Sequence, residues 1–156
     1  LEFRRVLFRS TYEYTILNRD MTLPIYERNA YFVYGDLDIE NMREAASYIV
    51  GEHNFASFCG AGSQVKTTVR NVVDVDIFEE ELPGGTDGYI GRLVKIRVTG
   101  DGFLYNMVRI IAGTLIEVGS GKRKPSDVKE IIKAKDRRQA GRTAPAKGLV
   151  LLKIEI

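Results

Sequence analysis

Two segments in which apolar and polar residues alternate place the strongest limit on how this chain can fold. In residues 66–82 (KTTVRNVVDVDIFEEEL), Val and Ile occupy every second position through the middle, and residues 93–100 (LVKIRVTG) repeat the pattern. Alternation with a period of two is typical of β-strands that bury one face. The glycine-rich stretch PGGTDG at 83–88 separates the two segments. They are therefore predicted to form an antiparallel pair joined by a turn.

A third segment, residues 103–119 (FLYNMVRIIAGTLIEVG), changes from this alternation to a helical period. Its bulky apolar residues recur at intervals of three and four, which predicts a helix with one face packed on the core. The helix is expected to begin near Gly102 and to end at residues 119–121, where two glycines favour termination.

The remaining elements are predicted from shorter patterns of the same two kinds. In chain order they are a strand at 11–18, a loop at 20–29, a helix at 38–50 that stops at Gly51, a helix at 126–136 after Pro125, and a strand at 149–156. This order of elements predicts an α+β fold, with two or three helices packed on one face of a largely antiparallel sheet.

The length of 156 residues, of which 44% are hydrophobic, is suited to one domain with a single core. Residues 1–10 (LEFRRVLFRS) show neither the alternation of a strand nor the spacing of a helix. No small-residue cleavage site follows them, as it would in a signal peptide. We expect these ten residues to be a non-native or misassembled leader and residues 11–156 to be the domain. No apolar run is long enough to span a bilayer, so a soluble, intracellular protein is expected.

The chain has one cysteine, Cys59, and one histidine, His53, which excludes an internal disulfide and argues against a metal site. Cys59 as a nucleophile lacks a supporting motif, and an inert buried thiol explains it better. His53 as a general base competes with a surface or capping role, which needs less support. The GAGS and GSGK stretches lack the spacing of nucleotide-binding loops.

The formal net charge is only +2, but basic residues concentrate in the C-terminal third of the chain, between Lys122 and Arg142. Charge alone favours a solvated surface over a nucleic-acid contact.

Arg109 is the residue that the apolar helix does not explain. A guanidinium keeps its charge when buried, and leaving it unpaired costs several kcal/mol. Asn106, Arg109 and Gly113 are three and four residues apart and share one helix face. They could form the floor of a site for an acidic group or a phosphate. Alternatively, Arg109 pairs with a structural carboxylate such as Asp101 or Asp136, or reaches solvent.

Four separated motifs account for most of the chain after residue 10. They are TYEY at 11–14, GEHNFASFCGAGS at 51–63 with KTTVR at 66–70, GDGFLYNMVRIIAGTLIEVGSGK at 100–122, and KDRRQAGRTAPAKGLVLLKIEI at 135–156. In this order they resemble the C-terminal domain of the tRNA pseudouridine synthase A family. The resemblance implies half of a pseudouridine synthase catalytic fold.

The resemblance also implies an activity and its partners. The family isomerises uridine to pseudouridine in the anticodon arm of tRNA, as a homodimeric cytoplasmic enzyme that binds the anticodon stem-loop without a metal or organic cofactor. Its essential aspartate lies in a motif of the type Arg-Thr-Asp-Ala-Gly, which these 156 residues lack. The isolated chain is therefore expected to be inactive. A non-catalytic RNA-binding or assembly module, or a truncation product without function, remains the alternative.

Site residues are carried over from the matching motifs. By resemblance, Arg109 orients the missing aspartate and Tyr12 packs on the target base, although a tyrosine of a half-buried strand, as Tyr14 also is, needs no such role. Leu149 would line the pocket. The remaining expected substrate contacts are Asn106 and the basic residues Lys66, Arg70, Lys122, Arg123 and Lys124, which could meet RNA phosphates.

Overall fold

The computed structural model describes residues 8–82 and 91–156. Within these ranges the regular elements are strand β1 (Arg9–Asn18), strand β2 (Tyr31–Val33), helix α1 (Ile39–Ser47), strand β3 (Gly51–Asn54), strand β4 (Val69–Leu82), strand β5 (Gly91–Gly100), helix α2 (Met107–Gly119), helix α3 (Asp127–Ala134) and strand β6 (Leu149–Glu155). Short 3-10 turns connect several of them.

The antiparallel pair predicted from alternation is confirmed. Strands β4 and β5 run side by side from Leu82 opposite Gly91 to Val72 opposite Gly100, with one register shift near Asp74. Their alternating Val and Ile residues face the core, as Ile77 and Ile96 do at one matched position. The predicted turn at 83–88 lies outside the described residues.

The sheet has the strand order β2, β1, β5, β4, β3, and β6 is a further partner of β1. Every pairing is antiparallel except that of β1 with β2, where Ile16 lies opposite Tyr31 in a parallel register. The predicted largely antiparallel sheet is thus confirmed. Strands β2 and β3 were not predicted, because three or four residues are too few to display a period.

Strand β1 begins before the boundary expected for the domain. Arg9 and Ser10 pair with Glu155 and Ile154 of β6, and Ser10 also pairs with Gly100 of β5. The described part of the expected leader therefore continues a strand. Residues 1–7 lie outside the described residues.

Helix α2 begins five residues later than its apolar period predicted. Asn106 precedes it in the left-handed conformation, with φ 59° and ψ 10°, and this reversal separates residues 103–105 from the helix. Phe103 fits the helical spacing, but its ring packs against Tyr12 of β1 instead. The end of α2 at Gly119 agrees with the prediction.

The other two predicted helices are present and shorter than expected. Helix α1 starts after Asp38, whose carboxylate accepts a hydrogen bond from the backbone N–H of Asn41 at 3.0 Å. It ends at Ser47, before Gly51, which has a φ of 117° and opens β3 instead. Helix α3 ends before Lys135, which adopts the left-handed conformation with φ 49°.

The main core lies between the three helices and one face of the sheet. Alternate strand residues such as Tyr14 and Ile96 contribute to it, together with Met42 of α1, Ile110 of α2 and Val128 of α3. A smaller apolar cluster around Leu17 and Leu93 lies on the opposite face, beneath the loop after β1. The α+β architecture with helices on one face is confirmed. No helix in the described ranges is long and apolar enough to cross a bilayer.

Candidate active site

A cavity of about 250 Å³ lies where the start of α2 meets β1 and β6. Its lining combines residues that are far apart in the sequence: Tyr12 from β1, Leu149 from β6, and Asn106 and Arg109 from the start of α2. These four are the residues expected to form the centre of the site. Phe103 completes one wall, with its ring centroid 5.3 Å from that of Tyr12 in an edge-to-face arrangement.

The half-buried guanidinium of Arg109 is held by two acceptors. Its Nε donates to the backbone carbonyl of Ala144 at 2.7 Å, and its Nη1 donates to Oδ1 of Asn106 at 3.1 Å. Within the described residues Nη2 makes no hydrogen bond, and no carboxylate forms an ion pair with Arg109. The side chain is therefore fixed in orientation while part of its donor capacity stays available.

The two carboxylates considered as structural partners of Arg109 are engaged elsewhere. Asp101 accepts from the backbone N–H of Asn71 at 3.1 Å. Asp136 accepts from Nε and Nη2 of Arg138 at 3.2 and 3.0 Å, and these bonds hold the pKa of its carboxyl below the ordinary value. Neither pairing predicted for a purely structural Arg109 is present.

The carbonyl of Ala144, which accepts a hydrogen bond from Arg109, belongs to a segment that lies directly along α2. A methyl group on Gly113 would come within 1.8 Å of the carbonyl oxygen of Arg142, so only glycine permits this approach. The buried hydroxyl of Thr114 accepts from the N–H of Gly141 at 2.9 Å and donates to the carbonyl of Ile110 at 2.8 Å. The expected close approach of another backbone at Gly113 is confirmed, and residues 140–145 supply it.

Tyr12 and Tyr14 occupy different surroundings although both lie on the same face of β1. Tyr14 is fully buried, and its hydroxyl donates to the carbonyl of Pro145 at 2.7 Å. Burial, with a smaller contribution from Tyr31, raises the pKa of the Tyr14 hydroxyl well above its usual range. Tyr12 is half-buried and lines the cavity. Tyr14 therefore anchors the segment before β6, whereas Tyr12 is accessible to a ligand.

Most of the chain, including α2 and Leu149 of the cavity lining, matches a known family. The family described as tRNA pseudouridine synthase matches residues 45–155, which is more than half of the chain. The chain belongs to this family. The match includes α2 and β6, which line the cavity, but not β1, which carries Tyr12.

Individual relatives agree with the family. The chain is 50% identical over 145 residues to tRNA pseudouridine synthase A of Clostridium acetobutylicum, covering 92% of this chain and 55% of the relative. It is 47% identical over 141 residues to tRNA pseudouridine synthase A 2 of Clostridium tetani, covering 90% and 53%. With the enzyme named tRNA pseudouridine synthase A from Brevibacillus brevis it shares 45% over 143 residues, covering 92% and 54%. The chain spans about half the length of the curated relatives it matches.

Arg70, one of the basic residues expected to meet RNA in this pseudouridine synthase domain, lies close to the turn that precedes α2. Its Cδ would lie 3.6 Å from a methyl group added to Gly102, the residue before Phe103. Its Nη1 donates to the carbonyls of Thr67 and Val69 at 2.8 and 2.7 Å. Lys66 is exposed on the loop that precedes β4.

The basic cluster at residues 122–124 lies at the other end of α2, about 20 Å away for a helix of this length. Lys122 and Lys124 are exposed. Arg123 donates from Nε to Glu117 at 3.4 Å and from Nη1 to the carbonyl of Gln139 at 2.8 Å. The structure therefore does not bring this cluster to the cavity, and Arg123 has a structural contact of its own.

The single histidine and cysteine lie outside the cavity. Nε2 of His53 is 3.0 Å from the carbonyl of Val50, and Sγ of Cys59 is 3.7 Å from the carbonyl of Gly60. Within residues 8–82 and 91–156, no group of three or more His, Cys, Asp or Glu side chains is arranged to hold a metal ion.

Besides Phe103 and other apolar lining residues, three contributors to the site were not predicted from the sequence. Ala144 acts through its backbone carbonyl, a group that every residue type carries, so the residue type does not indicate the role. Thr114 acts from inside the core. Tyr105 was assigned to the helix, although it lines the cavity from the turn before α2. The facing glycines 113 and 141 were the available signal for the first two.

Proposed function

We propose that this chain forms the C-terminal half of a tRNA pseudouridine synthase that isomerises uridine in the anticodon arm. The reaction centre is the cavity at Tyr12, Arg109 and Leu149, completed by an aspartate from the other half of the enzyme. The observation that carries the proposal is Arg109, a fixed half-buried cation with donor capacity to spare and no carboxylate partner in the described residues.

A carboxylate entering beside Arg109 would be held ionised and oriented. A charge-assisted pair in partly desolvated surroundings lowers the pKa of the acid and fixes its direction. Both N–H groups of Nη2 are available for that contact, whereas Nε and one N–H of Nη1 already donate to Ala144 and Asn106. The role assigned to Arg109 is therefore positioning of the reacting acid.

The remaining lining fits a nucleobase taken out of its stack. The ring of Tyr12 offers a surface for the base, and Leu149 offers an apolar wall. The isomerisation breaks the bond from ribose C1′ to uracil N1 and forms one from C1′ to C5. C5 loses a proton and N1 ends with one, so the reaction balances without an oxidant, reductant or organic cofactor.

Strand β6 supports the presence of a further packing partner. Leu151, Leu152 and Ile154 are 47%, 42% and 59% exposed, and a contiguous exposed apolar stripe marks a contact surface. In the proposed enzyme the other half covers this stripe and brings its aspartate to the cavity. The homodimeric state and cytoplasmic location are proposed from the family.

Substrate binding is proposed to use Lys66, Arg70, Lys122, Arg123 and Lys124 as contacts to RNA phosphates, with Asn106 at the cavity. Phosphate contacts release counterions, so affinity would fall steeply with salt. The second candidate function is a non-catalytic RNA-binding or assembly module. It is favoured by the lack of a carboxylate beside Arg109 within the described residues.

The two candidates are separated by tritium release from tRNA labelled at uridine C5, because isomerisation must expel the C5 hydrogen. The isolated chain should release none. Addition of the N-terminal half of the Clostridium acetobutylicum relative, in trans or as a fusion, should restore release. Failure of that fusion to react while it binds tRNA would favour the non-catalytic module, and release by the isolated chain would show that another residue here performs the chemistry.

A further inference from the structure

Tyr105 is an exposed aromatic residue at the rim of the cavity. It lines the cavity together with Tyr12 and Arg109, yet its side chain is 59% exposed. It lies outside α2, since Asn106 in the left-handed conformation intervenes before the helix begins at Met107. Its hydroxyl makes no hydrogen bond within the described residues. Core packing therefore does not account for the ring.

The backbone holds Tyr105 in place at Gly60. The N–H of Gly60 donates to the carbonyl of Tyr105 at 2.8 Å. A methyl group on Gly60 would lie 2.7 Å from Cδ2 and 3.2 Å from Cε2 of the tyrosine ring, closer than van der Waals contact allows. The ring thus rests against the bare Cα of Gly60. An exposed ring supported in this way loses little conformational entropy when a ligand stacks on it.

We propose that Tyr105 is a stacking platform for a second unpaired nucleobase of the RNA, next to the one that enters the cavity. This inference rests on the proposed function. A nucleotide that leaves its stack exposes the face of a neighbouring base, and an aromatic ring at the rim of the pocket can cover that face. Stacking of this kind tolerates any base, because every base has a π-face.

The chain contains no tryptophan, so Tyr105→Trp introduces a single fluorescent reporter at the platform. Titration with an anticodon stem-loop RNA should quench this fluorescence in a saturable manner. The matched control is Tyr34→Trp. Tyr34 is 73% exposed and follows β2, which pairs with the far end of β1, about 20 Å from Tyr12 along the strand. Its fluorescence should change much less.

Affinity provides the second measurement, by anisotropy of a labelled stem-loop. Tyr105→Ala should weaken binding by roughly 5- to 150-fold, the range found for one stacked base. Tyr105→Phe should bind within about 2-fold of the unsubstituted chain, because the hydroxyl has no partner to lose. Gly60→Ala, which pushes the ring off its support, should weaken binding by less than Tyr105→Ala does.

The outcomes separate this inference from the proposed function. Binding of the stem-loop without quenching of the indole in the Tyr105→Trp variant, or with equal affinity for Tyr105→Ala, would overturn the platform and leave the proposed function intact. If neither the unsubstituted chain nor its fusion to the missing half bound the stem-loop RNA, both would be wrong.

Discussion

Arg109 and Ala144 are joined by two reciprocal hydrogen bonds. Nε of Arg109 donates to the carbonyl of Ala144 at 2.7 Å, and the N–H of Ala144 donates to the carbonyl of Arg109 at 3.0 Å. The segment that carries Ala144 is held against α2 at Gly113 and Thr114. The orientation of the guanidinium therefore depends on a backbone contact that spans 35 positions in the sequence.

Replacing Arg109 should affect catalysis more than binding. In an enzyme completed by fusion to the missing half, Arg109→Ala should lower the rate at saturating tRNA by about 100-fold or more, because it removes a charged partner of the reacting acid. The dissociation constant for tRNA should change by less than about 3-fold. Tritium release and filter binding measure the two quantities. Equal losses in both would show that Arg109 contacts RNA instead.

Arg109→Lys is the matched variant for the same assay. Lysine keeps the charge but lacks the planar fork that reaches Ala144 and Asn106 together. It should recover only a small part of the lost rate. Full recovery would show that charge alone is required and that the observed orientation is not.

Gly113→Ala should destabilise the fold, because a methyl group would lie 1.8 Å from the carbonyl oxygen of Arg142 and would displace residues 140–145. We expect a loss of about 1–3 kcal/mol or more in the free energy of unfolding, measured in urea. The control is Gly102→Ala, whose added methyl group would meet nothing closer than 3.6 Å. It should change the free energy by less than about 0.5 kcal/mol. Similar urea midpoints of unfolding for the Gly113→Ala and Gly102→Ala variants would contradict the observed packing.

Tyr14 should make stability fall in alkaline solution. Its pKa is raised in the folded state, chiefly by burial, from an ordinary value of 10.0. The folded state then holds the phenolic proton more tightly than the unfolded chain does. The associated stability is complete below the unfolded pKa and is lost as pH rises above it.

Tyr14→Phe tests this relationship by urea unfolding between about pH 8 and pH 11, a range that brackets the ordinary tyrosine pKa. At pH 8 the variant should be less stable by about 1–2 kcal/mol, since the carbonyl of Pro145 loses its donor. Above pH 10 the difference in unfolding free energy between the two proteins should narrow. Only the unsubstituted chain is destabilised as Tyr14 ionises in the unfolded state. Tyr34→Phe, at an exposed position, serves as the control. A gap independent of pH would contradict the prediction.

Salt dependence should identify the residues that contact phosphate. If Arg70 meets one phosphate, Arg70→Ala should reduce the slope of log K against log salt by about 1. Lys122→Ala reports on the opposite end of α2 in the same way. An unchanged slope in either variant would remove that residue from the RNA surface. Fluorescence anisotropy at several salt concentrations provides the measurement.

Periodicity was sufficient for most of the fold. The alternation at Val75 and Ile77 is local, and it identifies β4 because each side chain lies on the face opposite to its neighbour's. Periodicity did not predict a very short strand or a change of helix start caused by one unusual backbone conformation. Strand β2 has three residues, and the shift in the start of α2 depends on the left-handed Asn106, which no period records.

The sequence by itself determined the paired strands, the apolar helix that carries Arg109, and the motifs that match the pseudouridine synthase family. Only the tertiary structure decided what Arg109 contacts and which tyrosine of β1 reaches the cavity. The reason is physical. Side-chain pattern encodes which face of an element is buried, whereas the carbonyl of Ala144 is common to every residue type and gains its role from where the chain places it.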